Sequence, residues 1–254
     1  MDFAFNEDQQ NIREAVLQHC SPFTDDYWLD HDRSGEWPVE FHRAMAEAGW
    51  LGIAMPESVG GAGLGITEAA IMMQAVAESG GGLSAASAIH GPVFGLEPVH
   101  FFGTEEQQQR MIPPILSGKE RMCFAVTEPN TGLDTTSLKT RATKVNGGYL
   151  LNGEKIWITN AHVADHMLII ARTTALEDVK KKTHGLTLFY TRIDRSKVDA
   201  RLIPKMGRHA VGSNMLFITD LFVPDEDRIG AEGDGFKILL HGLTPERVLL
   251  GAEA

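Results

Sequence analysis

At about residue 121 the spacing of apolar residues changes from a helical to a strand period, and this change restricts the possible folds more than any other feature. Upstream, Asn6 followed by Gln9 has capping-box spacing, after which Ile12, Val16 and Cys20 fall on one stripe. The segment from Trp37 to Gly49 predicts a second helix. Pro38 takes its first position, Gly49 lies just past its end, and Phe41, Ala44, Met45 and Ala48 face inward. Thr67 is expected to cap a third helix running to Glu78 and ended by Gly80, Gly81 and Gly82; Ile71, Met72, Ala75 and Val76 mark it as central. Thr104 and Gln107 repeat the capping-box spacing before Met111 and Ile112, and Pro113-Pro114 is expected to limit that helix or begin another.

Downstream, MCFAV, SLKTRATKV, YLLN, EKIWITN, HMLIIART, HGLTLFYT and NMLFITDLFVP read as strands, being short and rich in Val, Ile, Thr and aromatics. Asn146-Gly147 and Asn152-Gly153 are tight-turn dipeptides, so Leu138 to Thr159 should hold at least one antiparallel hairpin. After Gly233-Asp234-Gly235 a helical period resumes through Phe236, Leu239, Leu240, Leu243, Val248 and Leu249, with Pro245 as a candidate kink. A lone helix must bury that face on the first domain, on another subunit or on further chain. The expected architecture is an N-terminal helical bundle domain over 1–120, a middle antiparallel β-barrel or sandwich domain over 121–229, and the start of a C-terminal helical domain over 230–254.

Charge narrows the partners. With 23 Lys+Arg against 34 Asp+Glu, the net charge of −11 repels polyanions, so nucleic acid is not an expected partner. Cys20 and Cys123 stand far apart without CxxC spacing, which suits a reducing compartment. The opening MDFAFNEDQQ is acidic where a signal peptide is basic and then apolar, and no run approaches the ~18 apolar residues of a membrane span. A soluble intracellular protein is expected, cytoplasmic in a bacterium or, second, in the mitochondrial matrix.

Two segments could carry chemistry. The loop from Thr127 to Thr136 gathers hydroxyls, a turn glycine and amides able to hold an anionic group; from composition alone its first reading is a polar loop satisfying its own backbone. Strand alternation puts Trp157 and Thr159 on one face, with Ile156 and Ile158 on the other. An aromatic plane beside a hydroxyl suits a flat heteroaromatic ring, and it also suits a core Trp with a hydrogen-bonded Thr. His162 and His166 have metal-pair spacing but no helix and no accompanying HExxH glutamate, so no metal site is expected. His90 reads as packing or capping.

A TEPxxGxD loop followed about thirty residues later by WITN resembles the acyl-CoA dehydrogenase family. The likeness extends through Gly49-Trp50-Leu51-Gly52-Ile53, Pro56-Glu57 before Gly60-Gly61, Phe102-Gly103-Thr104-Glu105-Glu106-Gln107, Met206-Gly207, Val223-Pro224 and Gly233-Asp234-Gly235-Phe236. The resemblance implies FAD as cofactor, an acyl-CoA substrate, an electron-transfer flavoprotein as electron acceptor and a homo-oligomer, dimer or tetramer. It also implies that the chain stops in the first helix of a third domain, which in the family completes the FAD site. Carried over, Phe124, Ala125, Val126 and Thr127 would line the flavin, and Gly132 and Leu133 would approach the cofactor or thioester chain. Trp157 would pack along the isoalloxazine with Ile158 beside it, and Thr159 would bond near N5. Asn130 and Thr131 stand where the family has small residues, and Leu133 where it has Ser; leucine cannot donate that hydroxyl bond, although its amide can.

The implied reaction is α,β-dehydrogenation. A carboxylate with a raised pKa takes the α-proton, the β-hydrogen leaves as hydride to the flavin, and the enolate oxygen needs donors. A subset of the family carries its base on the first helix of the last domain, before an Arg. Thr244-Pro245-Glu246-Arg247 resembles that arrangement, which nominates Glu246 as base with Thr244 and Arg247 beside the substrate. A solvated Glu-Arg pair is the plain alternative. An acyl-CoA oxidase or flavin monooxygenase using oxygen, or a non-catalytic assembly subunit, are the competing functions.

Overall fold

The computed structural model describes residues 4–254, so the first three residues of the acidic opening lie outside the described part. α1 (Glu7–Cys20) opens with the expected capping box: the Gln9 amide donates to the Asn6 side chain at 2.9 Å, and the Asn6 amide to the Gln9 side chain at 3.2 Å. α2 (Asp25–Ser34) has no apolar stripe in its sequence, because DDYWLDHDRS buries only Trp28. α3 (Val39–Glu47) starts one residue later than expected. Pro38 is its cap, with a ψ of 74° outside the helical range.

α4 (Ile66–Glu78) is capped at Gly65 rather than Thr67, because the Glu68 carboxylate reaches back to accept the Gly65 amide at 3.1 Å. The glycine run does more than end α4, since Gly82 begins α5 (Gly82–Gly95). α6 (Glu97–Phe102) follows. α7 (Glu105–Leu116) has its capping box at Thr104 and Gln107, but it runs through Pro113-Pro114 rather than stopping there. Ile112, Ile115 and Leu116 are buried, and their packing outweighs the two missing amide bonds.

One eight-stranded sheet follows: β1 (Met122–Ala125), β2 (Arg141–Val145), β3 (Gly148–Thr159), β4 (His166–Arg172), β5 (Leu186–Arg192), β6 (Val198–Leu202), β7 (Ser213–Pro224) and β8 (Arg228–Ile229). Their order is β6-β7-β3-β2-β4-β5-β8, with β1 added on β4. Pairing is antiparallel except where β4 meets β1 and the first residue of β2. Asn146-Gly147 forms the expected hairpin turn, with Val145 opposite Gly148 and Gly147 at φ +76°. Asn152-Gly153 does not turn. YLLN and EKIWITN form one strand, because the equally long β7 pairs along both, and the two residues sit at a bulge instead. The Asn152 side chain donates across it to Asp220 at 2.9 Å.

The run HMLIIAR is buried on both faces, which explains its lack of alternation. Met167, Ile169 and Ala171 enter one core with Tyr149, Phe189 and Leu216, while Leu168 and Ile170 face Ile112, Leu186 and Leu188 in another.

α8 (Gly235–Glu253) continues through Pro245 and packs on its own chain, against α4, α5 and α6 and against β5. Ile238 and Leu239 join the core shared with α7 and β5, and Leu249 joins that of α1, α3, α4 and α5. Its first residue lies against β5, where a Cβ on Gly235 would come within 2.6 Å of the Thr187 and Leu188 backbone. Gly235→Ala is therefore expected to cost about 2 kcal/mol in urea unfolding. An unchanged midpoint would mean that the start of α8 is not docked. Among the described residues, no helix is long and apolar enough to cross a membrane.

Candidate active site

A cleft of about 580 Å³ lies where α5, the end of β1, the end of β3 and α8 meet. Its geometry begins with a buried lysine. Lys155 on β3 is fully buried, and its ammonium donates to the Val126 carbonyl and to Glu128, each at 3.0 Å. The next residue repeats the tie: the Ile156 amide donates to the Thr127 carbonyl at 2.9 Å. Residues 126–128 are thus fastened to β3 on both sides of Thr127. Glu128 also accepts the amides of Lys139 and Thr140, at 2.6 and 2.9 Å, which closes the loop downstream.

Burial pushes the Lys155 ammonium down to about 8, with Glu128 opposing the shift. Burial also pushes the Glu128 carboxyl up, but the Lys155 charge and the Lys139 and Thr140 bonds outweigh it and hold the group below the usual carboxylate range. At neutral pH this is a charged pair.

Plain alternation would put Lys155 and Trp157 on the same face. The strand avoids this by bulging against β7 between Lys155 and Ile158, with Trp157 in the left-handed region at φ +62°. Lys155 then points inward while the Trp157 side chain stays 59% exposed on the cleft. Thr159 follows it there, and Thr127 faces it from the segment after β1. Neither threonine hydroxyl has a protein partner among the described residues. Phe124 and Val126 complete the β1 wall. An uncovered aromatic plane flanked by two unpaired hydroxyls is a donor set that fits a flat heteroaromatic ring with polar edges.

α8 closes the opposite side. Leu243, Glu246, Leu250 and Glu253 repeat at three and four residues and line the cleft. Burial raises the Glu246 carboxyl above its ordinary range; His90 and Arg247 pull it down and Glu253 pushes it further up. His90, expected to pack or cap, lies between the two acids: its Nδ1 is 2.5 Å from Glu253 and its Nε2 is 4.0 Å from Glu246.

Phe124, Val126, Thr127, Trp157, Ile158, Thr159 and Glu246 therefore share one cleft. Five other nominated residues are not brought to it. Ala125 points into the sheet interior, because β1 alternates and its neighbours take the cleft side. Gly132 and Leu133 sit in the exposed loop; Leu133 is fully exposed, and a Cβ on Gly132 would touch nothing within 4 Å. Thr244 and Arg247 lie off the cleft-facing stripe of α8, exposed, with the Thr244 hydroxyl donating to the Leu240 carbonyl at 3.1 Å. His162 lies beside Asn214 at 3.3 Å and His166 stacks on Tyr190. Among the described residues, no group of three or more His, Cys, Asp or Glu side chains could hold a metal ion.

Sequence reasoning missed Lys155, His90 and Glu253. A lysine inside an apolar strand run was a legible signal for the first. His90 and Glu253 are 163 residues apart and carried none.

Comparison with known proteins gives a consistent result. Residues 6–119 match the family described as acyl-CoA dehydrogenase, N-terminal domain, and residues 123–221 match acyl-CoA dehydrogenase, middle domain. The chain is 31% identical over 251 residues to a mitochondrial isovaleryl-CoA dehydrogenase of Solanum tuberosum, covering 98% of this chain and 60% of that protein. It is 34% identical over 256 residues to a benzylmalonyl-CoA dehydrogenase of Aromatoleum aromaticum, covering 100% of this chain and 66% of that protein. The solved butyryl-CoA dehydrogenase of Megasphaera elsdenii superposes with a TM-score of 0.90 at 29% identity, over 100% of this chain and 66% of that one. The chain thus spans 60–66% of the length of these relatives.

Proposed function

The chain belongs to the acyl-CoA dehydrogenase family, whose members are FAD flavoproteins, and from that premise we propose that it carries out α,β-dehydrogenation of an acyl-CoA thioester. Glu246 is the base in this reading. The observation that carries it is the placement of a half-buried carboxylate with a raised pKa across one cleft from Trp157, Thr127 and Thr159.

Bound FAD supplies the hydride acceptor. Trp157 and Ile158 would hold the flavin ring, and the Thr127 and Thr159 hydroxyls would meet its polar edges. Phe124 and Val126 would form the wall that excludes water. The Lys155–Glu128 pair positions Thr127 without touching the ligand. Glu246 takes the α-proton of the thioester, and burial makes its carboxylate a stronger base than one in water. Electrons are expected to pass to an electron-transfer flavoprotein, so reduced protein should reoxidise slowly in air; rapid reoxidation would mark an oxidase. Half-exposed Val248 and Leu240 on α8 support assembly into a homo-oligomer. Cys20 and Cys123, buried and unbridged, support a reducing compartment, cytoplasmic or mitochondrial.

Trp157→Ala is expected to weaken FAD binding about tenfold or more, read as the rise in flavin fluorescence on titration. Unchanged affinity would remove the indole from the cofactor site. The raised Glu246 pKa also fixes the acid limb of the rate profile: activity should fall as pH drops through a midpoint above the ordinary Glu range.

A further inference from the structure

The His90–Glu253 pair is not used by that reaction, yet it lies in the same cleft as Glu246. His90 belongs to α5 and both acids belong to α8, seven residues apart, so the imidazole spans two turns of the facing helix. Each ring nitrogen faces a carboxylate, Nδ1 at 2.5 Å from Glu253 and Nε2 at 4.0 Å from Glu246. Phe94 contacts the ring at a centroid distance of 4.8 Å, and Phe124 contacts Phe94 at 5.2 Å, which fixes the imidazole plane against β1. Glu253 is 8% exposed, and its bond to His90 is its only side-chain partner among the described residues.

We infer that His90 is a positioning residue for Glu246, oriented by Glu253, which keeps the base carboxylate ionised and aimed into the cleft. The inference deepens the proposed function and rests on Glu246 being the base. With Nδ1 held against the Glu253 carboxylate, Nε2 is turned toward Glu246, where the edge of the ring can attract and orient that carboxylate. The other charged and titratable groups around Glu246 are few. Arg247 and Glu253 share its helix; Arg121 and Arg208 line the cleft walls, as does His42, which burial lowers to about 4 and so keeps neutral. His90 is the one of these that an ion-pair contact places beside Glu246.

The test reads the ¹³C carboxyl signal of Glu246 against pH in the full chain, assigned with Glu246→Gln, so that no turnover enters the measurement. Removing the ring that faces Glu246 in His90→Gln should raise the Glu246 midpoint by about one pH unit. Glu253→Gln should move that midpoint by a different amount in the wild-type and His90→Gln backgrounds, because part of its effect, beyond its direct repulsion of Glu246, passes through the ring. A midpoint unmoved in His90→Gln, or equal effects of Glu253→Gln in both backgrounds, would overturn the inference. If His90→Gln does not fold, the ring ¹⁵N signals of His90 in Glu253→Gln decide: the Nδ1 signal must shift on losing its carboxylate partner, and an unmoved signal would overturn the inference. The expected coupling in the wild type with full activity in Glu246→Gln would sink the base assignment alone, whereas absent coupling in the wild type with an inactive Glu246→Gln would sink the positioning role of His90 alone.

Discussion

Glu246→Gln should lower the rate of flavin bleaching by an acyl-CoA about 10³-fold in the FAD-loaded protein, while FAD remains bound. Glutamine matches the shape of the glutamate and removes only the ability to accept a proton, so this variant separates base chemistry from packing. The stability sign supports the same separation. The Glu246 pKa is raised in the fold, so the folded state binds its proton more tightly than the unfolded chain. Ionised Glu246 therefore costs stability as pH rises from the ordinary Glu range through the raised value, and that cost persists at neutral pH. Glu246→Gln should accordingly unfold at the same urea concentration as the wild type or a higher one at pH 7. Bleaching at the wild-type rate would place the base elsewhere; loss of bleaching with an earlier unfolding midpoint would make the residue structural.

The largest stability change is expected from the Lys155–Glu128 pair. Lys155→Met leaves Glu128 5% exposed and without its counter-charge, and should cost about 3–5 kcal/mol in chemical unfolding. Combining it with Glu128→Leu removes both charges, and part of that loss should return, although the Lys139 and Thr140 amides then lack their acceptor. Because the pair fastens residues 126–128, Lys155→Met should also weaken FAD binding through Thr127, which Lys155 itself never contacts. A stable Lys155→Met protein with normal FAD affinity would show that Thr127 is held by the Ile156 amide alone.

Much of the helical half and most of the strands were legible because their signals are local. The capping boxes at Asn6 and Thr104 form as read, since both partners lie within one turn. Asn146-Gly147 turns because nothing beyond its own hairpin opposes it. The departures occur where a distant partner intervened. Asn152-Gly153 has the same turn chemistry, yet β7 holds the chain extended through it. Pro113-Pro114 should stop a helix, yet the buried Ile112 and Ile115 carry α7 past them. α2 left no sequence signal for the opposite reason, having one buried side chain and hence no apolar stripe.

For the site, the polar loop and strand alternation singled out Thr127, Trp157 and Thr159, and the resemblance to the family gave them their roles and nominated Glu246; helices before residue 121 and strands after it were to be expected because periodicity and short motifs are properties of neighbouring residues. Only the tertiary structure decided that Leu133 and Arg247 face away from the cleft, that a bulge turns Lys155 inward and Trp157 outward, and that His90 meets two carboxylates from the far end of the chain. Side-chain direction at a bulge and encounters between distant helices depend on packing across the whole fold, and packing leaves no periodic trace in the residues that it brings together.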